Sequence, residues 1–545
     1  MIAPAIRTSF APVSAPLSSS ALTPYAGPFT RQEAGHLLRR ATMGATYAQI
    51  GAAADQGLEA TLDQLLADLP LPADPINYNP LDGGAPVGQT WVDKPYDANN
   101  LMRSVVIRIR GLFAYLGEQM MTEGVSARQT MTLFWHNHFA ISTAVEPKYN
   151  YRYLQTLQSH VFGDFRQLVK DITVDPLMLT FLNGNQNRRE SPNENYAREL
   201  LELFTIGKGE QVGEGDYTNY TEEDIRAMAR SLTGWRDFGY NSTESGAFGS
   251  VFRPNRHDAG TVQLSHRFGN QTLASSGENT YADLVDLILE QDEVARYMVR
   301  KFYRWFVYYD IDATVEAEVI EPLATLFRDN DYNVKPVLRA LLGSEHFFAV
   351  RSQGPMIKHP LDFVMGLLRT LEVKQEGNPR QLQTLYTAVS GFSQPLGMTH
   401  FTPPNVAGWK AFYQEPLYYR LWINSATLPL RQQQASALIS GQATVERYGP
   451  LELDLLAIVQ QFPAPADLYG MLAAWVELLL PRPVPQEQLD YLKDILLPGL
   501  PETQWAVEYA AYSANPTDDE LREALERKLR RVVGAIAEFA EFQLS

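Results

Sequence analysis

The chain contains no cysteine among its 545 residues. That absence excludes disulfides, thiolate-bound zinc, iron–sulfur clusters and a cysteine nucleophile together. Long apolar runs are missing too. The best stretch, Leu468 to Leu480, is interrupted by Glu477 and stopped by Pro481, short of the roughly 20 residues that a membrane-spanning helix needs. Positive charge is scarce: 46 Lys and Arg stand against 63 Asp and Glu, for a formal charge of −17. This acidic balance argues against general nucleic-acid binding, which wants a basic face, and leaves only a local basic patch open. The first 28 residues, rich in Ala, Pro, Ser and Thr, carry Arg7 as their one charge. They lack the basic start and the unbroken apolar stretch of about 7–15 residues of a secretory signal. Residues 1–28 therefore read as a disordered tail, and the location by sequence is cytoplasmic. Neither a phosphate-cradling G-x-x-x-x-G-K-[ST] nor a G-x-G-x-x-G is present, and G-x-S-x-G and H-E-x-x-H are also missing.

What remains is ordinary globular composition, 45% apolar and 20% charged, in a chain long enough to bury roughly three quarters of its unfolded surface. Helical periodicity dominates. Thr30 with Glu33 makes a capping box for a helix to Met43, and Asn99 to Met121 reads as one long helix. Ser126 to Ala140 is apolar nearly all round, hence buried. Asn193 to Ile206 ends at Gly207, and Thr221 with Asp224 opens the next helix, while Thr517 with Glu520 opens the last. Between Arg236 and Leu273 the period is lost; Ser250–Pro254 and Thr261–Leu264 predict a β-hairpin around Asp258-Ala259-Gly260. The expected fold is mainly α: a large multi-helix domain over 29–440 with a small hairpin insertion near 250–270, and a C-terminal helical subdomain over 441–545.

Three polar clusters stand out. In Trp135-His136-Asn137-His138-Phe139 the two histidines sit at i,i+2, about 200° apart on a helix, so they serve one metal only on a distorted backbone. Each is either a hydrogen-bonded core histidine or a metal ligand. On Asn193–Phe204, the residues Asn195, Arg198, Glu199 and Glu202 share an arc of about 100°. That stripe reads either as a salt-bridged surface or as a sunken carboxylate–arginine site with shifted pKa values. Arg256-His257-Asp258 resembles the dipeptide of the helical HD phosphohydrolases, but Pro254 and Gly260 bracket it in a loop. Just upstream, Asn183, Asn185, Asn187 and Glu194 match calcium-loop spacings 1, 3, 5 and 12. Arg188 replaces the required glycine and the first three ligands are neutral amides, so the reading there is an Asn-shaped loop.

Seven strings in order resemble one bacterial family. They are Leu37-Leu38-Arg39-Arg40-Ala41-Thr42-Met43-Gly44, Trp135–Phe139, Asn193–Gly207, Tyr220–Asp224, Ala229–Trp235, His257-Asp258 and Pro403-Pro404-Asn405-Val406-Ala407-Gly408-Trp409. The chain is similar over about residues 30–430 to the family called domain of unknown function 1800. The resemblance implies a large bacterial protein, often exported, with a sulfatase-like partner; it carries no catalytic assignment. Two functions follow as expectations. The first is a metal-dependent hydrolytic or oxidative enzyme, with His136, His138, Glu199 and Glu202 as ligands and Arg198, His257 and Asp258 as catalytic groups. The cofactor is left open, a divalent zinc, iron or manganese ion being the class this donor set suits. The second is a non-catalytic polymer-binding or scaffold protein acting with the sulfatase-like partner.

Overall fold

The computed structural model describes residues 21–142 and 145–545. Helix accounts for 56% of it, and strands form only small two-stranded antiparallel ribbons, so the fold is mainly α. Among the described residues no helix is long and apolar enough to cross a membrane.

The expected tail lies outside the described residues as far as position 20. From Ala21 onward the chain is held: Tyr25 N–H donates to Gly343 O at 2.8 Å, and Glu345 N–H donates to Thr23 O at 2.9 Å. Residues 21–28 are thus an ordered strap, because their backbone groups find partners on the 343–346 turn.

Capping chemistry sets several helix starts. Thr30 and Glu33 close a capping box on Arg31–Ala41, and Thr221 and Asp224 close another on Glu222–Ser231. The last helix, Asp519–Ala537, starts one residue later than its sequence signature: Asp518, not Thr517, accepts from Glu520 N and Leu521 N.

The centre of the molecule is the helix Arg128–His138, which is buried through most of its length. Trp135 stacks on Phe165 with ring centroids 5.7 Å apart, and Phe134 meets Phe302 at 5.0 Å. Burying a phenylalanine of this kind stabilises by roughly 1.5–3 kcal/mol. Around this helix pack Pro147–Ser159, Asp292–Phe306 and the long Leu101–Thr122, which lies against Pro379–Ser393. Leu468–Leu479 and Asp519–Ala537 at the C-terminal end join the same continuous core; Lys358 N–H donates to Gln543 O at 2.8 Å.

The hairpin near 250–270 pairs differently from the sequence expectation. Gly249–Phe252 pairs with Trp235–Phe238, in the register Trp235↔Phe252, and Val262–Gln263 pairs with Thr272–Leu273. Asp258 begins a turn, accepting from Gly260 N–H at 2.9 Å, but the strands on its two sides belong to separate ribbons.

Candidate functional site

His136 and His138 leave their helix on different sides, as a 3.6-residue period requires. His136 is fully buried. Its Nε2 accepts from Phe401 N–H at 2.8 Å, so Nδ1 carries the proton and donates to Tyr153 Oη at 3.1 Å. His138 Nε2 donates to Phe204 O at 3.0 Å, and its Nδ1 accepts from Lys301 Nζ at 3.0 Å. Burial holds both imidazoles well below their usual pKa. All four ring nitrogens are engaged, and among the described residues no three His, Asp or Glu side chains are gathered to hold a metal ion. In this arrangement neither imidazole keeps a free ring nitrogen.

The Asn193–Phe204 stripe is half-buried. Arg198 grips Glu222 with two bonds of 2.7 and 2.8 Å, and Glu194 lies 3.5 Å away. Glu202 accepts from Tyr220 Oη at 3.0 Å and lies 3.7 Å from Lys208. Glu199 makes no ion pair among the described residues, and burial, then the charge of Glu202, raises its pKa. From Leu200 to Thr205 the helix widens into a π turn, with Ile206 N–H donating to Leu201 O at 3.1 Å. Carbonyls of that turn are capped from elsewhere: Lys301 Nζ reaches Leu203 O at 3.1 Å, Tyr297 Oη reaches the same oxygen at 3.0 Å, and His138 takes Phe204 O. Lys301 is lowered to about 7 by burial.

His257 is buried, donating from Nδ1 to Thr233 O at 2.9 Å with Nε2 at 2.8 Å from Ser275 Oγ. Asp258 faces Arg230 Nε at 2.7 Å, a bond that lowers its carboxyl pKa. The three segments are therefore neighbours in the fold: His138 touches the Asn193–Phe204 helix, Arg198 ties that helix to Glu222–Ser231, and Arg230 ties the latter to Asp258. Except for Glu199, their polar atoms are engaged in these fastenings.

The open site lies one loop away. A polar cleft of about 700 Å³ is lined by Arg188, Arg236 and Arg256 together with Asn185, Ser191 and Glu194. Asn183 enters the loop in the left-handed conformation, φ 58°, and buried Asn187 fixes its far end by accepting from Asn193 N–H at 2.9 Å and donating to Ala229 O at 2.8 Å. Arg188 is thereby held outward. Arg236 comes from the Trp235–Phe238 strand and Arg256 from the turn preceding His257. None of the three makes an ion pair among the described residues, because the nearby acids are engaged: Glu190 with Arg189 at 2.7 Å and Glu194 with Arg198 at 3.5 Å. Burial and then the like charges of Arg236 and Arg188 lower the Arg256 guanidinium pKa. In the cleft wall, Arg256 Nε and Asn185 Oδ1 are buried without hydrogen-bond partners. In the sequence Arg256 stands in one cluster with His257 and Asp258 but has no assigned role, because Arg188 and Arg236, which share its cleft, are distant from it along the chain.

The geometry defines a mainly α protein with a cleft lined by three arginines beside a tightly fastened polar core. The family described as Protein of unknown function (DUF1800) matches residues 36–544, nearly the whole chain, and the chain belongs to that family. No curated protein and no solved structure matches it.

Proposed function

We propose that this protein acts by binding an anionic ligand, one bearing sulfate, phosphate or carboxylate groups, between Arg188, Arg236 and Arg256. The observation that carries the reading is three guanidinium groups without carboxylate partners around one cleft, in a chain whose net charge is −17. Guanidinium groups match planar oxyanions with paired, charge-assisted bonds, which makes such a cluster selective for them. Of the two functions expected from the sequence, this is the binding protein. A metal-dependent hydrolase or oxidoreductase using His136, His138, Glu199 and Glu202 would first have to break the bonds that occupy both imidazoles. A sulfatase-like partner would act on ligands of the charge this cleft favours.

The test is calorimetric titration of the full chain with dextran sulfate, pyrophosphate and uncharged dextran. The anions bind and dextran does not; Arg188→Gln and Arg256→Gln each weaken binding by about tenfold or more, the effect of losing a charged hydrogen bond. Equal affinity in the variants overturns the reading. Elemental analysis of protein purified without chelator supplies the opposing outcome. A stoichiometric metal that disappears in both Glu199→Gln and Glu202→Gln would restore the metal enzyme.

A further inference from the structure

A second cavity, of about 420 Å³, lies between the first helix Arg31–Ala41, the helix Leu468–Leu479 and the proline-rich turn that follows it. Its wall is mostly apolar, with Ala474, Val476, Leu480 and Val484 facing it. An apolar cavity carrying a few convergent polar groups is the usual form of a small-molecule site. Here the polar groups have one sign in excess: Arg31, Arg39 and Arg482 against Glu477. Arg31 lies over the Tyr47 ring at 3.7 Å and reaches Glu477 Oε2 at 3.5 Å. Arg39 meets no carboxylate among the described residues. Its Nη1 donates to the Glu477 carbonyl at 3.1 Å, while its Nε is buried without a partner. Arg482 likewise donates only to carbonyls, from Nε to Gln353 O at 2.6 Å. Two positive charges are thus left uncompensated at the edge of an apolar cavity. Water solvates one part of such a site poorly, and a simple inorganic anion leaves the apolar part unused.

We infer that this cavity binds an amphipathic carboxylate, a medium-chain alkyl acid whose head group meets the arginines and whose chain lies along the Ala474–Val484 wall. Charge complementarity selects the acid over an alcohol or amine, and the apolar wall selects it over sulfate or phosphate.

The probes are sodium octanoate, decanoate, decanol and decyltrimethylammonium, titrated into the full chain by calorimetry. Decanoate binds, about three- to fourfold more tightly per methylene added beyond octanoate. Decanol binds at least tenfold more weakly, and the ammonium compound does not bind. Glu477→Gln, which frees Arg31, tightens decanoate binding; Arg482→Gln loosens it about tenfold. Ala473→Trp, at an exposed position on the cavity rim, blocks entry while leaving the core untouched. Dextran sulfate does not displace decanoate, which separates this site from the arginine cleft. Absence of decanoate binding, equal affinity for decanol, or unaltered binding in Ala473→Trp overturns the inference.

Discussion

Gly408 sits against Asn137 so closely that a Cβ at 408 would lie 2.4 Å from Asn137 Oδ1 and 2.5 Å from its carbonyl oxygen. The same Oδ1 accepts from Trp409 N–H at 2.9 Å, and Gly408 has φ +89°. Two of the seven strings that carry the family resemblance, one on the central helix and one on the 403–409 loop, meet in this contact. Gly408→Ala adds both a strained backbone and a clash with backbone and side-chain oxygens. It should lower stability by about 2–4 kcal/mol, read as a fall in the urea midpoint with unchanged slope.

Acid sensitivity follows from the buried histidines. Burial takes His36 and His359 to about 3, and His346 and His400 to about 4. A histidine whose pKa is depressed by folding gives stability that is intact above its unfolded value near 6.5 and lost as pH falls toward the folded value. Each adds a slope of about 1.4 kcal/mol per pH unit in that window. Asp362, raised to about 6 by burial, and Glu146 and Asp175, each raised to about 7 by burial, run the other way, gaining stability as pH falls through those values. With His136 and His138 also held well below their usual value, six histidines outweigh these three carboxyls, so urea midpoints should drop from pH 6.5 to 5, and less steeply in His400→Gln. A flat profile over that range would contradict the neutral-histidine core.

Asp224 is fully buried and serves two elements at once. Its carboxylate accepts from Thr221 N–H at 2.8 Å within the capping box, and from Ser265 N–H and Oγ at 2.7 Å each. Asp224→Asn keeps the shape but removes the charge and one acceptor. The expected cost is about 2–3 kcal/mol, with amide exchange rising in both the 222–231 helix and the 262–273 ribbon.

Arg108 and Asp82 form an ion pair at 2.8 Å with neither side chain exposed, and Arg108 also donates to Pro95 O at 2.8 Å. Breaking one half leaves a buried charge alone. Arg108→Met should therefore cost about 3–5 kcal/mol, whereas Arg108→Met with Asp82→Leu should recover much of that loss. If the cost of the double variant in chemical denaturation equals the sum of the two single-variant costs, the pair is not coupled.

The helices and their burial were legible because the 3.6-residue period and the caps are local: Thr30–Glu33 and Thr221–Asp224 act within one turn of themselves. The β segments were not, since Gly249–Phe252 finds its partner at Trp235–Phe238, on the side away from the Asp258 turn. The polar strings were visible as unusual without being interpretable. His136, His138 and Asp258 carry the residue types of chemistry, yet their partners, Phe401, Lys301 and Arg230, come from elements that the local pattern does not specify. For the same reason the arginine cleft is not legible in the sequence: its three members meet only when the Asn loop packs against the 235–238 strand and the 254–256 turn.

The π turn at Leu200–Thr205 has a kinetic consequence. Its carbonyls are satisfied by Lys301, Tyr297 and His138, the first two on a helix about a hundred residues further along the chain. Local bonds close the start of the turn, but the Leu203 carbonyl finds its partners only once Asp292–Phe306 has docked. It belongs on the native side of the folding barrier, and substitutions that weaken it speed unfolding far more than they slow folding.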